Sequence, residues 1–416
     1  MIENKFNEER YLLLSCSDKS EEEINKDLDE LEELVIAAGG IPISRCTQRL
    51  DKVNPRTYVG SGKIEEIKNV IFHLDITGVV CDDELTPSQM ANLSNELDLK
   101  VIDRTILILD IFSKRAMTKQ GKLQVELAQL MNYYTHMKGN CNLSRLGGGI
   151  GTRGPGEKKL ELDRRYIRNN INNLRHELKE LKKHEKVIRE NFNSKGLFKI
   201  SIVGYTNAGK STLLNRLANA DVLEKDMLFA TLDLATRIVT LPIGQKIYLT
   251  DTVGFINKLP HNLIESFRST LEDAKYSDAI IHVIDASDSD CIRKMHFVYE
   301  ILKELDINKP IITIFNKMDL IDKEITFKDP NADYIIRTSI KNGKVDDVLR
   351  AIEDLIKKKL VNISATIKYS DYYIIDLIRN ECQLLSIEYR DDEIYFEAMV
   401  NEKLFNLIHK IKIRNS

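Results

Sequence analysis

The sequence contains no apolar run near the roughly 20 residues that a membrane-spanning helix requires. Its start, Met1 to Lys5, lacks the apolar core of a secretory leader. Six cysteines (Cys16, Cys46, Cys81, Cys141, Cys291 and Cys382) are scattered, with neither paired nor metal-ligand spacing. That excludes a disulfide framework and predicts reduced thiols in a cytoplasmic protein, at most peripheral to a membrane. The N-terminal quarter offers no paired carboxylates and no histidine cluster for acid–base chemistry, and His73 reads as an ordinary helix residue. Net charge is only −3 over 416 residues, a length that suits two to four domains.

What is present is organised around one stretch, Gly204-Tyr205-Thr206-Asn207-Ala208-Gly209-Lys210-Ser211. It matches the phosphate-cradling pattern G-x-x-x-x-G-K-[ST] without departure. The run Phe198 to Val203 before it reads as a buried strand, and Thr212 to Leu217 after it as a helix opening. The glycines let the backbone curl with N–H groups inward, and the positive helix end favours phosphates. Lys210 adds a full charge, and the Ser211 hydroxyl suits Mg²⁺.

Three more elements follow in order. The strand from Tyr248 ends in Asp251-Thr252-Val253-Gly254. Asp251 suits the Mg²⁺ shell through water, and the Gly254 amide suits a γ-phosphate. The strand Ile311 to Phe315 runs into Asn316-Lys317-Met318-Asp319. The Asp319 carboxylate can accept from the N1–H and N2–H₂ donors of guanine, a pair that adenine lacks, so GTP is expected over ATP. Thr338-Ser339-Ile340 follows another strand and suits backbone contacts to the base. Between the first two elements lies Phe229-Ala230-Thr231-Leu232-Asp233, and Thr231 is the expected second Mg²⁺ ligand, with Thr236 behind it. Such a loop orders with GTP and loosens after hydrolysis. The expected catalytic groups are therefore Lys210, Thr231 and Gly254. Phe255 occupies the place at which Ras-like enzymes carry a water-orienting glutamine, so unassisted hydrolysis should be slow. The Asn207 amide oxygen is a candidate ligand for K⁺ beside the phosphates, although asparagine also suits tight turns.

Four regions are expected. Residues 1–115 alternate strands and helices, as in a small parallel α/β domain, and Gly60-Ser-Gly-Lys63 reads there as a glycine turn opening a helix rather than a second phosphate loop. Residues 116–196 carry two apolar stripes, Leu123 to Met137 and Ile167 to Ile188, that predict an antiparallel helical hairpin. A glycine-rich connection, Gly139 to Lys159, joins them. From Lys138 to Lys195 there are fifteen Lys/Arg and seven Asp/Glu, a net +8 against −11 for the remainder. A positive arm on a negative body points to a polyanion, most plausibly RNA, although a solvated helix face gives the same charge pattern. Residues 197–360 hold the nucleotide motifs, and 361–416 read as a small α+β cap.

Taken together, Tyr58 to Lys63, Ser144 to Glu157, Leu160 to Arg165, Gly204 to Ser211, Phe229 to Asp233 and Asp251 to Ile256 resemble the HflX GTPases over nearly the full length. The resemblance implies a cytoplasmic GTPase, with Mg²⁺ on Ser211 and Thr231, that binds the large ribosomal subunit and its rRNA and splits stalled or idle ribosomes; a monomer is expected. Hydrolysis to GDP is then stimulated by the ribosome, and neither DNA nor a transmembrane segment is expected. Lys158, Leu234 and Ile340 depart from the family's usual threonine, proline and alanine. The alternative is a nucleotide-dependent adapter GTPase with protein or membrane partners and no splitting activity.

Overall fold

A computed structural model describes residues 9–139, 155–194, 197–218, 235–258, 273–321, 327–343, 345–401 and 404–409. These residues form two compact units, one within 9–181 with 257–258, the other within 182–218, 235–256 and 273–409.

The first unit opens with β1 (Arg10–Ser17), α1 (Glu21–Ala38), β2 (Ile41–Arg49), α2 (Ser61–Leu74), β3 (Gly78–Cys81), α3 (Pro87–Leu97), β4 (Lys100–Asp103) and α4 (Arg104–Arg115). The sheet is parallel, in the order β2-β1-β3-β4. Helix α1 starts where Ser20 and Glu23 form a capping box, and it ends at Gly39 with φ +91°. Its buried stripe includes Ile24, Leu28, Leu31, Leu34 and Val35. The strand β2 escaped the sequence reading because Pro42 and polar residues mask it, a composition that suits an edge strand. Gly60 caps α2 as the expected glycine turn, its N–H donating to Gln48 Oε1 at 2.8 Å. Arg104 is 2% exposed and is paired with Asp82 at 2.7 Å and with Glu30.

Helices α5 (Lys119–Gly139) and α6 (Pro155–Ser194) bring the two predicted stripes together. Leu127, Ile167, Ile171, Leu174 and Leu178 are buried against one another, with Leu123, Leu130 and Met137 alongside. The cross-contacts Met137–Arg164, Tyr134–Arg168 and Met131–Arg175 run in opposite directions along the two helices, so the pair is antiparallel. Residues 140–154, most of the glycine-rich connection, lie outside the described residues.

The second unit is built on β5 (Phe198–Gly204), α7 (Lys210–Leu217), β6 (Ala235–Thr240), β7 (Lys246–Asp251), β8 (Ala279–Asp285), α8 (Cys291–Glu304), β9 (Ile311–Asn316), β10 (Tyr334–Arg337) and α9 (Asp346–Lys359). The sheet order is β10-β9-β8-β5-β7-β6, and only β6 is antiparallel to its neighbour. The central strands are apolar throughout; Ala279 to Ile284 are all buried, as a strand covered on both faces requires. The chain passes from β5 to β7 on one side of it and then crosses to β8 on the other. That switch point, at the carboxyl ends of the strands, is where open α/β sheets hold ligands. The loop 205–209 sits there.

The chain continues through β11 (Val361–Lys368), α10 (Tyr373–Glu381), β12 (Gln383–Tyr389) and β13 (Glu393–Val400), with a helical turn over 404–409. The sheet is antiparallel, in the order β11-β13-β12. Ile367, Ile374, Ile378, Ile394, Phe396 and Ile408 form its core. The protein is thus a multidomain α/β molecule with a Ras-like sheet and a small α+β C-terminal part.

Candidate functional site

The loop after β5 depends on glycine at both ends. Gly204 has φ +152°, and an added Cβ would lie 2.2 Å from the Val283 carbonyl oxygen. Gly209 has φ +99°, and its Cβ would lie 2.3 Å from Asn316 Nδ2. No other residue fits both positions. Asn207 takes the left-handed conformation at φ +60° and is exposed. Ala208 is buried beneath it.

Lys210 opens α7, and its side chain is buried, with Nζ donating to the Tyr205 carbonyl at 2.7 Å. Burial pushes its ammonium down to about 8, opposed by the nearby Asp251 carboxylate. Ser211 donates from Oγ to Asp251 Oδ2 at 2.7 Å, and Asp251 is wholly buried. A hydroxyl and a carboxylate at the mouth of a helix N-terminus are hard oxygen donors, and this pair fits Mg²⁺. Among the described residues no group of three or more His, Cys, Asp or Glu could hold a metal on protein ligands alone.

The segment after β7 is joined to the loop through backbone bonds. Thr206 N–H donates to the Phe255 carbonyl at 2.7 Å, and Phe255 N–H donates to the Gly204 carbonyl at 3.1 Å. Thr252 Oγ1 donates to the Ile202 carbonyl at 2.7 Å, and Val253 is buried. A Cβ on Gly254 would approach Lys210 Nζ at 2.8 Å and Thr206 Cα at 2.9 Å, so Gly254 brings its backbone against the loop as only glycine can. The Phe255 ring is 2% exposed and packs with Val203, Tyr205, Ile280 and Val298. It is part of the hydrophobic core.

The base-reading candidates converge through one side chain. Asn316 donates from Nδ2 to the Ala208 carbonyl at 2.9 Å and accepts at Oδ1 from Ile340 N–H at 3.0 Å. It therefore ties the phosphate loop to the 338–340 segment. Met318 N–H reaches the Thr338 carbonyl at 3.3 Å, while Thr338, Ser339 and Ile340 are buried. Lys317, at φ +60°, pairs with Asp285 at 2.6 Å. Asp319 is exposed, and its neighbour Ser339 is the largest cause of a carboxyl held below the usual range.

Of the expected site residues, the structure brings together Gly204 to Ser211, Asp251 to Gly254, Asn316 to Asp319 and Thr338 to Ile340. Phe229, Ala230, Thr231, Leu232 and Asp233 lie outside the described residues. Thr236 falls inside β6, where its hydroxyl is 3.0 Å from that of Thr250. Asp285 escaped the sequence reading; an aspartate at the carboxyl end of a buried strand is the signal that marks it.

Comparison with known proteins agrees with this geometry. Residues 25–113 match the family described as GTP-binding GTPase N-terminal, 115–191 the GTP-binding GTPase Middle Region, and 199–317 the 50S ribosome-binding GTPase. The chain is 50% identical over 408 residues to the GTPase HflX of Lacrimispora saccharolytica, covering 97% of this chain and 96% of that one. It is 43% identical over 406 residues to the GTPase HflX of Caldanaerobacter subterraneus subsp. tengcongensis, covering 96% and 94%. A GTP-binding protein from Sulfolobus solfataricus, solved in complex with GDP, aligns at 27% identity and TM-score 0.44 over 84% of this chain and 99% of that one. Among the described residues no helix is long and apolar enough to cross a membrane. Identity of 50% and 43% to the two HflX GTPases, over nearly the whole of each chain, shows that the chain belongs to the HflX family of GTPases.

Proposed function

We propose that this protein binds the large ribosomal subunit and splits stalled or idle ribosomes in a GTP-dependent cycle. The observation that carries the nucleotide part is the pair of hydrogen bonds made by the Asn316 amide, which ties the phosphate loop to the base end in one rigid frame. In this reading the curled backbone of 204–209 and Lys210 hold the phosphates. Ser211 and Thr231 ligate Mg²⁺, with Asp251 behind water. Asp319 selects guanine, and the Gly254 amide senses the γ-phosphate. When bound, Mg²⁺ neutralises charge developing on the phosphoryl oxygens.

Phe255 is buried and carries no proton acceptor, so it cannot orient water. Water positioning is therefore left to the ribosome, and a K⁺ held at Asn207 would add positive charge beside the phosphates, as an arginine finger does. The functional regions are 1–115, 116–196, 197–360 and 361–416, with the basic arm engaging rRNA. The net +8 between Lys138 and Lys195 supports that assignment.

Steady-state GTP turnover with and without purified large subunits, in potassium and in sodium buffer, tests the cycle. Stimulation by subunits and a potassium requirement are expected. A chain lacking 147–156 should keep GDP affinity and lose ribosome splitting. If turnover is indifferent to subunits, an adapter role with protein or membrane partners replaces this one.

A further inference from the structure

The C-terminal part carries no motif, yet it is bonded to the element that links the two ends of the phosphate site. Strands β6 and β7 form a hairpin in register from Ala235↔Asp251 to Thr240↔Lys246. One end delivers Asp251 and, beyond it, Gly254. The other end is the turn Leu241-Pro-Ile-Gly-Gln245, closed by Leu241 N–H to the Gln245 carbonyl at 2.8 Å and by Gly244 at φ +84°.

That turn is tethered twice. Ile243 N–H donates to Glu353 Oε1 of α9 at 3.2 Å. Gln245, 3% exposed, donates from Nε2 to the carbonyl of Glu381, the last residue of α10, at 2.9 Å. Among the described residues the buried Gln245 Oε1 has no partner. An unpaired buried acceptor costs stability, and a methionine of similar length would avoid that cost. What the amide supplies in return is a donor for the Glu381 carbonyl, and that bond is directional.

We propose that Gln245 is a positioning residue for GTP hydrolysis. By fixing the far end of the hairpin to the C-terminal part, it sets the position at which β7 presents Asp251 and Gly254. This rests on the GTPase cycle proposed above. A ladder of paired strands transmits displacement along its length, because sliding one strand breaks every cross-strand bond at once. Misplacement of reacting groups by a fraction of an ångström lowers rate more than affinity.

The test uses the full chain as wild type, Gln245→Met and Glu353→Ala. Three quantities are read: GDP affinity, the single-turnover GTP hydrolysis rate, and hydrogen exchange over 361–400 with GDP or a non-hydrolysable GTP analogue bound. Gln245→Met should hold GDP affinity within about twofold and lower the hydrolysis rate about tenfold. The wild type should show a difference in exchange between the two nucleotides, and Gln245→Met should erase it. Glu353→Ala, on a half-buried helix position, should act in the same direction more weakly and keeps the test open if Gln245→Met folds poorly. Wild-type rates in both variants, or identical exchange over 361–400 in the two wild-type complexes, would overturn the inference. Failure of the wild type to bind guanine nucleotides would instead contradict the proposed cycle, so the two failures are distinct.

Discussion

Replacing Gly209 by alanine tests the phosphate loop at its tightest point. At φ +99° any side chain is strained, by about 1 kcal/mol for alanine. The new Cβ would meet Asn316 Nδ2 at 2.3 Å, so the amide has to move. Moving it breaks the bonds to the Ala208 carbonyl and from Ile340 N–H, both buried. Each buried group left unpaired costs about 1–3 kcal/mol. The sum is at least about 3 kcal/mol, which corresponds to about a hundredfold or more in an equilibrium constant. Urea unfolding of the nucleotide-free protein should show a loss of that order, and calorimetry should show GDP binding weakened by at least tenfold. A stability change within about 0.5 kcal/mol of wild type, with unchanged GDP affinity, would refute the steric account.

Lys210 supplies a prediction of opposite signs. Its folded-state value is depressed to about 8 from 10.5, so below pH 8 the folded chain bears a buried charge at a cost of about 3 kcal/mol. The unfolded chain binds more protons between those two values, so nucleotide-free stability should rise with pH from about 8 toward 10.5. GDP affinity should fall over the same range as the ammonium is lost. Lys210→Met should raise the unfolding temperature of the nucleotide-free protein and abolish GDP binding; binding that survives would remove Lys210 from the phosphate site. Phe255→Ala should lower unfolding free energy by about 3–5 kcal/mol, because the ring is fully packed. An unfolding curve superimposable on wild type would contradict that packing. Asp319→Asn should weaken GDP binding about tenfold or more and narrow the preference for GDP over ADP, read by competition; an unchanged preference would mean that another group reads the base.

Much of the site was legible because its signals are local. The strand before Gly204 and the helix after Lys210 lie within a few residues of the motif, and the structure has them as β5 and α7. The arm's helices were equally readable, since a stripe every three or four residues can only be buried by a partner. The second role of Asn316 was not readable. Its bond to Ala208 spans 108 residues, and nothing near Asn316 in the chain announces it. The helix α4 was missed because Arg104-Thr-Ile-Leu-Ile-Leu-Asp-Ile-Phe112 is apolar nearly all round, and Leu107, Ile108, Leu109 and Ile111 are all buried. In the C-terminal part β11 spans Val361–Lys368, where Val-Asn-Ile-Ser-Ala-Thr-Ile-Lys alternates as a half-buried strand does. The Gln245 tether reaches across 136 residues and had no sequence signal.

The central claim is that the third phosphate of a guanine nucleotide, held ahead of Lys210, decides engagement with the ribosome. Sucrose-gradient sedimentation of intact ribosomes mixed with the protein carrying GDP, or carrying a non-hydrolysable GTP analogue, measures this directly. The account predicts that the analogue-loaded protein converts ribosomes to subunits and travels with the large one, while the GDP form stays at the top of the gradient. Equal sedimentation in both states, or intact ribosomes in both, would contradict it.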